Sequence, residues 1–380
     1  MSVSHFALYG VCALIATLSL AFLPMASSAD ERSIDTETGK INVETVVEGL
    51  DHPWGMAFLP GGQILVTERS GDLRILSPEG TLSAPLTGVP EVVAKGQGGL
   101  LDVALDPNFA ANKLVYLSYA EPGDGGAGTA VARGRLEGNG LEAVQVIFRQ
   151  TPRVSGRNHF GGRLAFAPDG TLFVTLGDRF AFEPAQDLAS HLGKIVRINP
   201  DGSVPQDNPF IGQKDAQPEI WSLGHRNVES AAIHPETGKL WTLEFGPLGG
   251  DELNIPAPGG NYGWPIVSWG KHYDGKDIPD PPTRPEFLDA VRHWTPVISP
   301  SGTTFYSGSA IPGWEGDLLI GGLSSQSIIR LSLDGETVTG EERIPLGLRI
   351  RDVQQGPDGA VYALTDEAGG KVLRFTAEGQ

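Results

Sequence analysis

Residues 158–178 read NHFGGRLAFAPDGTLFVTLGD, and this stretch contains the pattern that decides the fold. Apolar side chains occupy alternate positions on either side of a turn, as in half-buried β-strands, at Leu164, Phe166, Leu172, Val174 and Leu176. The turn is Pro168-Asp169-Gly170, in which Pro presets φ, Asp caps its own backbone and Gly tolerates positive φ. The stretch therefore predicts a β-hairpin. His159 and Asp178 flank this hairpin without being needed for it, so both are candidate functional residues.

The same hairpin pattern recurs along the chain. The six predicted hairpins span residues 54–66, 100–119, 158–178, 228–243, 302–320 and 352–364. A further strand follows most of them, at residues 73–76, 194–198, 328–331 and 371–375. Repeats of strand and turn at spacings of about 45 to 75 residues are typical of a β-propeller. The sequence therefore predicts an all-β fold, a six-bladed β-propeller of four-stranded antiparallel blades.

The N-terminal segment differs from the rest of the chain. Residues 1–29 contain no Lys, Arg, Asp or Glu, and residues 7–23 are almost continuously apolar. This pattern predicts a signal peptide over residues 1–29, a single propeller domain over residues 30–380, and a periplasmic or secreted protein without stable membrane insertion after cleavage. An uncleaved N-terminal anchor is the alternative. The one cysteine, Cys12, lies in this segment, so the mature chain would have no disulfide and no Cys nucleophile.

Charge and loop composition narrow the possible partners. The formal net charge of −18 makes nucleic acids and anionic membranes poor partners. Residues 201–218 and 270–296 are rich in Pro, Asp and Gly, and we expect them to form long loops over one face. We expect residues 120–128, 179–189 and 268–285 to line the mouth of the central channel. The sequence leaves the oligomeric state open between a monomer and a homodimer.

Polar residues precede the innermost predicted strand of several blades. In a propeller these positions surround a central channel, so we expect the side chains to converge. They are Gln97, His159, Arg226, Asn227, Arg349 and Arg351. Because the guanidinium group of arginine binds a carboxylate through two hydrogen bonds, this set suits a flat polyanionic ligand.

A second group of residues suits a metal ion. Residues 244–247, 249–252 and 259–265 combine Gly and Pro, which expose backbone carbonyls, with nearby carboxylates. Oxygen-only ligands of flexible geometry favour Ca²⁺ over a transition metal. Two acidic turns without a metal are the alternative.

Several motifs together resemble those of a known family, the soluble PQQ-dependent aldose sugar dehydrogenases, which are relatives of soluble glucose dehydrogenase. The motifs are HFGGRLAFAPDG with LGD, SLGHRN, GGDELN, GGNYGWP and RIRDVQQGPDG, and the resemblance extends over residues 43–375. It implies a six-bladed propeller, in agreement with the repeat count. It also implies oxidation of aldose sugars at C1 to lactones with pyrroloquinoline quinone (PQQ) and Ca²⁺, the electrons passing to an unknown acceptor. A calcium-dependent propeller lactonase or esterase, and a non-catalytic propeller that binds sugar or protein, are the alternatives.

The resemblance also implies roles for individual residues. His159 matches the general base and a PQQ contact, Asp178 the carboxylate beside it, and Arg226 the group that stabilises negative charge on the quinone oxygen. The remaining matches to PQQ-holding residues are Gln97, Asn227, Arg349 and Arg351. The carbonyls of Gly246 and Pro247 match ligands of the active-site calcium, and Glu252 with the Tyr262 carbonyl matches a second, structural calcium site.

Three positions depart from the family pattern. Phe245 stands where the family often has Gln or His, Ser324 where soluble glucose dehydrogenase has a lysine on the quinone, and Asn158 where the glucose enzyme has an acid. In the expected mouth loops, Trp269, His272 and Tyr273 are suited either to stacking on a sugar ring or to packing the loop.

Overall fold

The computed structural model describes residues 1–3 and 32–379. The predicted signal peptide, apart from its first three residues, and Cys12 lie outside the described residues. The boundary expected between residues 29 and 30 lies outside them as well, so the leader, the alternative anchor and the domain limits stay predictions. Within the described chain, no helix is both long enough and apolar enough to cross a membrane.

Strands account for a little under half of the described chain, and helices for very little of it. In chain order they are β1 (Arg32–Thr36), β2 (Gly39–Asp51), β3 (Pro53–Phe58), β4 (Ile64–Glu68), β5 (Leu73–Leu76), β6 (Leu100–Leu105), β7 (Leu114–Gly123), β8 (Gly126–Glu137), β9 (Gly140–Arg149), β10 (Gly161–Phe166), β11 (Leu172–Leu176), β12 (Lys194–Ile198), β13 (Ile220–Leu223), β14 (Val228–Ile233), β15 (Leu240–Glu244), β16 (Asp251–Asn254), β17 (Arg292–Trp294), β18 (Pro300–Phe305), β19 (Leu318–Gly322), β20 (Ser327–Asp334), β21 (Thr337–Pro345), β22 (Ile350–Gln355), β23 (Val361–Thr365) and β24 (Ala368–Ala377). The helical elements are short: α1 (Phe109–Asn112) and 3₁₀ turns at Glu183–Gln186 and Pro281–Thr283.

These strands form six antiparallel sheets, which are the six blades of a β-propeller. Blade 1 contains β3–β5, blade 2 β6–β9, blade 3 β10–β13, blade 4 β14–β17 and blade 5 β18–β21. Blade 6 has the strand order β22-β23-β24-β2-β1, so strands from both ends of the described chain close the ring. The predicted fold is confirmed. Blades 2–5 have the predicted four strands, whereas blade 1 has three among the described residues and blade 6 gains a fifth from the N-terminal hairpin.

The predicted hairpins are also confirmed, because each one forms the first two strands of a blade. In blade 3, β10 and β11 flank the expected turn, where Gly170 has φ 85°. The Asp169 carboxylate accepts hydrogen bonds from the backbone N–H (2.9 Å) and the hydroxyl (2.7 Å) of Thr171. The local turn chemistry therefore fixes the register that places the apolar side chains in the core.

The core lies between neighbouring blades. Apolar side chains of blade 3 pack against those of blade 2 in one cluster, which contains Tyr116, Val131, Phe148, Leu164, Leu172, Val174, Leu176, Val196 and Ile198. Sheet faces buried against each other in this way leave the strand ends and the central channel for polar residues.

The centre of the channel is closed by an ion cluster. Arg163 Nη1 lies 3.1 Å from Asp102 Oδ1 and 3.2 Å from Asp352 Oδ1, and all three residues are buried. Arg163 also donates to the backbone carbonyls of Glu229 and Arg351, both at 2.9 Å. One guanidinium thus connects blades 2, 3, 4 and 6 at the level below the candidate site.

The loop expectation for residues 270–296 is wrong in part. Residues 201–218 contain no strand, as expected, but the end of the 270–296 segment forms β17, which pairs with β16 (Asp251 opposite Trp294). Residues 120–128 are the tip of the β7–β8 hairpin, where Pro122 pairs with Ala127. The connection there is Asp124-Gly125, a two-residue sequence that favours a hairpin turn.

Candidate active site

His159 lies in the loop just before β10, at the mouth of the central channel. Its backbone has φ 53°, a left-handed conformation that is uncommon for a residue with a side chain. Its backbone N–H donates to Gln97 Oε1 at 2.5 Å. Gly177 faces the same backbone, and a Cβ at position 177 would overlap the His159 carbonyl oxygen. The glycine of the LGD motif is therefore needed to bring His159 close to Asp178.

Asp178 orients the imidazole of His159. Its Oδ1 lies 2.6 Å from His159 Nδ1 and accepts the Phe180 N–H at 2.8 Å, while its Oδ2 accepts the Trp264 indole N–H at 2.8 Å. Burial acts to raise the pKa of Asp178, but the hydrogen bond from His159 and the other donors outweigh it and hold the pKa below its usual value. The carboxylate is therefore ionised, so Nδ1 of His159 carries the proton and Nε2 is the basic nitrogen.

The environment of His159 keeps its ring neutral. Burial lowers the pKa of His159 below its usual value of 6.5, and the positive charge of Arg226 adds to this effect. The hydrogen bond with Asp178 acts in the opposite direction and only partly offsets the effect of burial. At neutral pH the ring is consequently free to accept a proton at Nε2.

Arg226 lies between β13 and β14 and holds the turn that follows β15. Its Nη1 donates to the carbonyl oxygens of Phe245 (3.0 Å) and Gly246 (2.9 Å), and its Nη2 donates to the Tyr273 hydroxyl (3.0 Å). Its backbone N–H donates to Glu244 Oε2 at 2.6 Å. The buried Nε has no hydrogen-bond partner among the described residues. One guanidinium donor of this cation is therefore available to an anionic ligand.

The other expected cofactor residues are joined by two carboxylates. Asn227 Nδ2 donates to Glu229 Oε1 (2.9 Å), and Arg351 Nη1 donates to Glu229 Oε2 (2.6 Å). Arg351 Nη2 (3.0 Å) and Arg349 Nη2 (3.1 Å) both donate to Asp366 Oδ2. Arg351 is buried and paired twice, whereas the Arg349 side chain is 45% exposed. Of these two arginines, Arg349 presents its guanidinium to the mouth of the channel.

The four expected metal residues lie in two places. Gly246, Glu252 and Tyr262 line a narrow cavity of about 10 Å³, together with Glu244. Burial and the neighbouring charge of Glu244 raise the pKa of Glu252 well above its usual value. Pro247 lies apart from this cavity and lines the pocket at the mouth. In the described ranges no group of three or more His, Cys, Asp or Glu side chains is arranged to hold a metal, so any ion here would depend on backbone carbonyls as well.

The pocket at the mouth has a volume of about 350 Å³ and a largely aromatic wall. It is lined by Phe180, Phe182, Pro247, His272, Tyr273, Asp274 and Lys276. The Phe180 ring meets the edge of the His159 imidazole at 5.1 Å and stacks on Tyr273 at 6.2 Å. Aromatic faces beside a basic nitrogen suit a ligand with both apolar and hydroxyl surfaces, such as a sugar ring.

The backbone beside this pocket is strained. Arg179, Phe180 and Phe182 have φ values of 55°, 63° and 65°. A left-handed backbone conformation costs free energy for any residue other than glycine, and such residues cluster at functional sites. Of the three residues suited either to stacking on a sugar or to packing the loop, His272 and Tyr273 line the pocket. Trp269 packs the loop instead, because it stacks on His293 at 4.0 Å and donates to Asp289.

The three departures from the family pattern take different positions. Phe245 contributes its carbonyl to Arg226, and its side chain is half-buried. Ser324 is exposed, and its hydroxyl donates to the Val297 carbonyl at 3.3 Å. The Asn158 carbonyl accepts a hydrogen bond from Arg179 at 2.9 Å.

Three carboxylates and one indole organise the site but are not among the individual residues predicted for it. They are Glu229, Glu244, Asp366 and Trp264. The acids share a repeated signal, because an acidic residue ends the second strand of four blades or follows it within two residues, at Glu68, Asp178, Glu244 and Asp366. Of this set, Asp178 alone is predicted as an individual site residue, and Glu244 is included only as part of the 244–247 segment suited to a metal ion.

A sequence profile of the glucose/sorbosone dehydrogenase family matches residues 50–374. The chain is 46% identical to the aldose sugar dehydrogenase YliI of Escherichia coli over 346 residues, which cover 88% of this chain and 93% of that protein. Its structure is similar to that of the apo-form soluble aldose sugar dehydrogenase from Escherichia coli, with a TM-score of 0.85 and 45% identity over 89% of this chain and all of that one. It is also similar to a PQQ-bound aldose sugar dehydrogenase from Streptomyces coelicolor, with a TM-score of 0.73 and 30% identity over 88% and 98% of the two chains.

The extent of these matches confirms the resemblance first drawn from the HFGG, GHRN and GGNYGWP motifs. The matched region runs from the first blade to the last strand of the ring. This chain belongs to the glucose/sorbosone dehydrogenase family.

Proposed function

We propose that this protein oxidises aldose sugars at C1 to lactones, using PQQ and Ca²⁺. The observation that carries the proposal is the buried pair of His159 and Asp178, which opens onto an aromatic pocket beside Arg226. A neutral imidazole, oriented by an ionised carboxylate, is suited to removing a proton from a sugar hydroxyl. The family membership and the aldose sugar dehydrogenases among its relatives support the same reaction.

In this proposal His159 acts as the general base. Its Nε2 takes the proton of the C1 hydroxyl, and the Asp178 carboxylate, 2.6 Å from Nδ1, stabilises the imidazolium that forms. Trp264 and the Phe180 N–H hold that carboxylate in place. When bound, PQQ supplies the two-electron acceptor for the hydride that leaves C1. Arg226 has the charge and position to stabilise negative charge that develops opposite the base.

The residues present fit a flat polyanion such as PQQ. Arg226 has a buried Nε without a partner among the described residues, and Arg349 presents a partly exposed guanidinium. Arg351 would act differently, because both its terminal nitrogens already donate to Glu229 and Asp366. In the cofactor-free protein, Arg351 therefore holds the carboxylate that orients Arg349. Gln97 and Asn227 complete the set that would hold the cofactor.

The residues around Gly246 fit a hard divalent cation. The narrow cavity there is lined by the side chains of Glu244 and Glu252 and by Gly246 and Tyr262. Burial, together with the charge of Glu244, raises the pKa of Glu252, and a bound cation would stabilise the ionised form of both side chains. The site fits Ca²⁺ because its donors are oxygens, and the Gly246 and Pro247 carbonyls would serve a calcium nearer the cofactor.

The location and partners follow from the leader and the reaction. The apolar, uncharged residues 1–29 support export, so we place the protein in the periplasm or outside the cell. An electron acceptor must reoxidise the cofactor after each turnover. The protein would function as a monomer or a homodimer.

A reconstitution assay on the purified mature protein tests the proposed function. Glucose-dependent reduction of a dye is measured with PQQ and Ca²⁺ together and with each one omitted. We expect turnover only with both, and we expect His159→Ala to abolish turnover while PQQ still binds. PQQ binding without turnover across a panel of aldoses would refute the substrate. Failure to bind PQQ, with hydrolysis of lactones instead, would replace the proposal with a calcium-dependent lactonase.

A further inference from the structure

Lys194 is a buried cation that has no carboxylate partner among residues 32–379. It is the first residue of β12, and its side chain is fully buried. Its Nζ donates to three backbone carbonyl oxygens, those of Pro184 (2.8 Å), Ala185 (3.0 Å) and Leu192 (2.8 Å). All three N–H donors of the ammonium are used, and Asp187 contributes only a long-range attraction.

The strand β12 does not itself require a charged residue at position 194. The residues that follow in β12 include Ile195, Val196 and Ile198, all buried in the core between blades. An apolar residue at position 194 would extend this pattern without the cost of burying an ammonium. Burial lowers the pKa of Lys194 to about 7, which is a measure of that cost. The role of the side chain is therefore to bind and fix the three backbone carbonyl groups to which it donates.

Two of these carbonyls belong to the 3₁₀ turn at Glu183–Gln186, which supports the site. The Gln186 side-chain amide exchanges two hydrogen bonds with Asn261 (3.0 and 2.8 Å) and donates to the Trp264 carbonyl at 2.7 Å. Trp264 in turn donates its indole N–H to Asp178. A continuous series of contacts thus joins Lys194 to the carboxylate beside the catalytic histidine.

The same turn also fixes one wall of the mouth pocket. Phe182 directly precedes it, and the Ala185 N–H donates to the Phe182 carbonyl at 3.0 Å. The Phe182 ring packs against Trp264 at 5.5 Å and against Phe180 at 5.2 Å. Because Phe182 has φ 65°, the wall depends on contacts that hold a strained backbone in place.

We propose that the Lys194 ammonium is a positioning group for the active site, acting as an internal cation that fixes the 183–186 turn and, through it, Phe182, Trp264 and Asp178. The proposal rests on the proposed function only where it names sugar oxidation as the activity that suffers. The ordering of the turn by Lys194 is a property of the cofactor-free protein and is measured separately.

The test replaces the ammonium and then restores it. Lys194→Met removes all three donors at nearly constant volume, and Lys194→Ala removes three carbons and the nitrogen, which propylammonium matches in length. Lys239→Met is the control, because Lys239 is exposed and paired with Glu336 on the rim of blade 4. Hydrogen exchange is followed in the cofactor-free proteins at the Ala185 and Asp187 amides, which donate to the Phe182 and Pro184 carbonyls within this turn.

We expect both Lys194 variants to exchange these two amides at least tenfold faster than wild type while the strands of the other blades keep their protection. In the reconstituted enzyme, kcat should fall about tenfold or more with unchanged PQQ affinity, since small displacements of catalytic groups are costly. Propylammonium should restore both properties in Lys194→Ala and leave Lys194→Met unchanged. Tetramethylammonium should restore neither, because it has no N–H donor.

Three results would overturn the proposal. One is wild-type exchange and kcat in Lys194→Met. Another is faster exchange in all blades, which would make Lys194 a general stabiliser of the fold. The third is a lack of rescue by propylammonium in a folded Lys194→Ala. If wild type itself oxidises no sugar, the proposed function fails, whereas the exchange measurements still decide whether Lys194 holds the turn.

Discussion

Replacing Asp178 with asparagine removes one buried negative charge and changes no side-chain volume. The carboxylate accepts from three donors, namely His159 Nδ1 and the Phe180 N–H on Oδ1 and the Trp264 indole on Oδ2. An asparagine amide must direct its NH₂ group at one of these donors, whichever way it is turned. The variant therefore loses the charge and also places two donors against each other.

The size of the effect follows from the geometry. With donor and acceptor 2.6 Å apart, the charge centres of imidazolium and carboxylate are about 4 Å apart, which gives about 4 kcal/mol at an effective dielectric constant near 20. Partial compensation by the asparagine dipole leaves about 2 to 4 kcal/mol. Because this interaction grows as His159 takes the proton, kcat/KM should fall by about 30- to 1000-fold.

The assay measures kcat/KM of the reconstituted enzyme against pH. In wild type the rate rises with pH as His159 loses its proton, and this rise lies below pH 6.5 because burial lowers the pKa of His159. In Asp178→Asn the hydrogen bond that acts to raise this pKa is lost, so the rise moves to still lower pH and leads to a lower plateau. Asp169→Asn is the matched control, since Asp169 lies in the exposed turn of the same hairpin.

Two outcomes would refute this reasoning. A plateau reduced by less than about fivefold would show that the carboxylate does not stabilise a protonated His159. A rise displaced to higher pH would show that another group titrates. Binding of PQQ to the variant must be measured alongside, because a loss explained by an empty cofactor site says nothing about the base.

Further substitutions test other parts of the site. In thermal unfolding, Gly177→Ala should destabilise the protein by about 1 to 3 kcal/mol, and it should also lower activity, because the added Cβ would overlap the His159 carbonyl before β10. Gly340→Ala has room for its Cβ and should change neither stability nor activity. Arg349→Ala should weaken PQQ binding in a titration with little effect on folding, whereas Arg351→Ala should destabilise the protein by about 3 to 5 kcal/mol, because it leaves the buried Glu229 carboxylate without its cation. Ca²⁺ at 100 times its Kd should add about 3 kcal/mol to the free energy of unfolding of wild type, and the unfolding temperature should rise accordingly. Glu252→Gln should lose most of this gain, because Glu252 lines the narrow cavity.

Each of these expectations has a contrary result. Equal stability of Gly177→Ala and Gly340→Ala would mean that the loop before β10 shifts freely. Equal loss of stability in the two arginine variants would place Arg349 in the same buried network as Arg351. A calcium effect that survives in Glu252→Gln would place the ion away from the narrow cavity.

The fold was predictable because its information is local. Each blade begins with alternating apolar residues around a turn such as Pro168-Asp169-Gly170, and such a pattern is readable within about 20 residues. The strand β17 was not predictable, because its three residues, Arg292–Trp294, are too few to show a periodic pattern. They form a strand only by pairing with the edge strand β16. The place of the β1–β2 hairpin in blade 6 depends on the pairing of β2 with β24, which are far apart in the chain, and no local pattern contains that pairing.

The residues of the candidate site likewise fall into a group that local sequence predicts and a group that it does not. Residues at the starts of the innermost strands, such as His159 and Arg226, were found because the propeller places those positions around one channel. Glu229 and Lys194 were not, because their importance lies in pairing across blades and in binding carbonyl groups distant in space. Sequence spacing identifies which residues reach the channel, but only the packed structure identifies the groups that hold them.

The pairing of β2 with β24 also bears on the order of folding. Val43 and Phe375 are register partners although about 330 residues separate them, and loop closure over that length costs about 5 kcal/mol of chain entropy. Hairpins within the blades form between near neighbours and avoid this cost, so they can form while later parts of the chain are still being synthesised. We expect the ring, in contrast, to close last, because closure needs the distant pairing of β2 with β24. Opening it from the native state requires the loss of many contacts at once, which favours slow unfolding and long persistence of the folded protein.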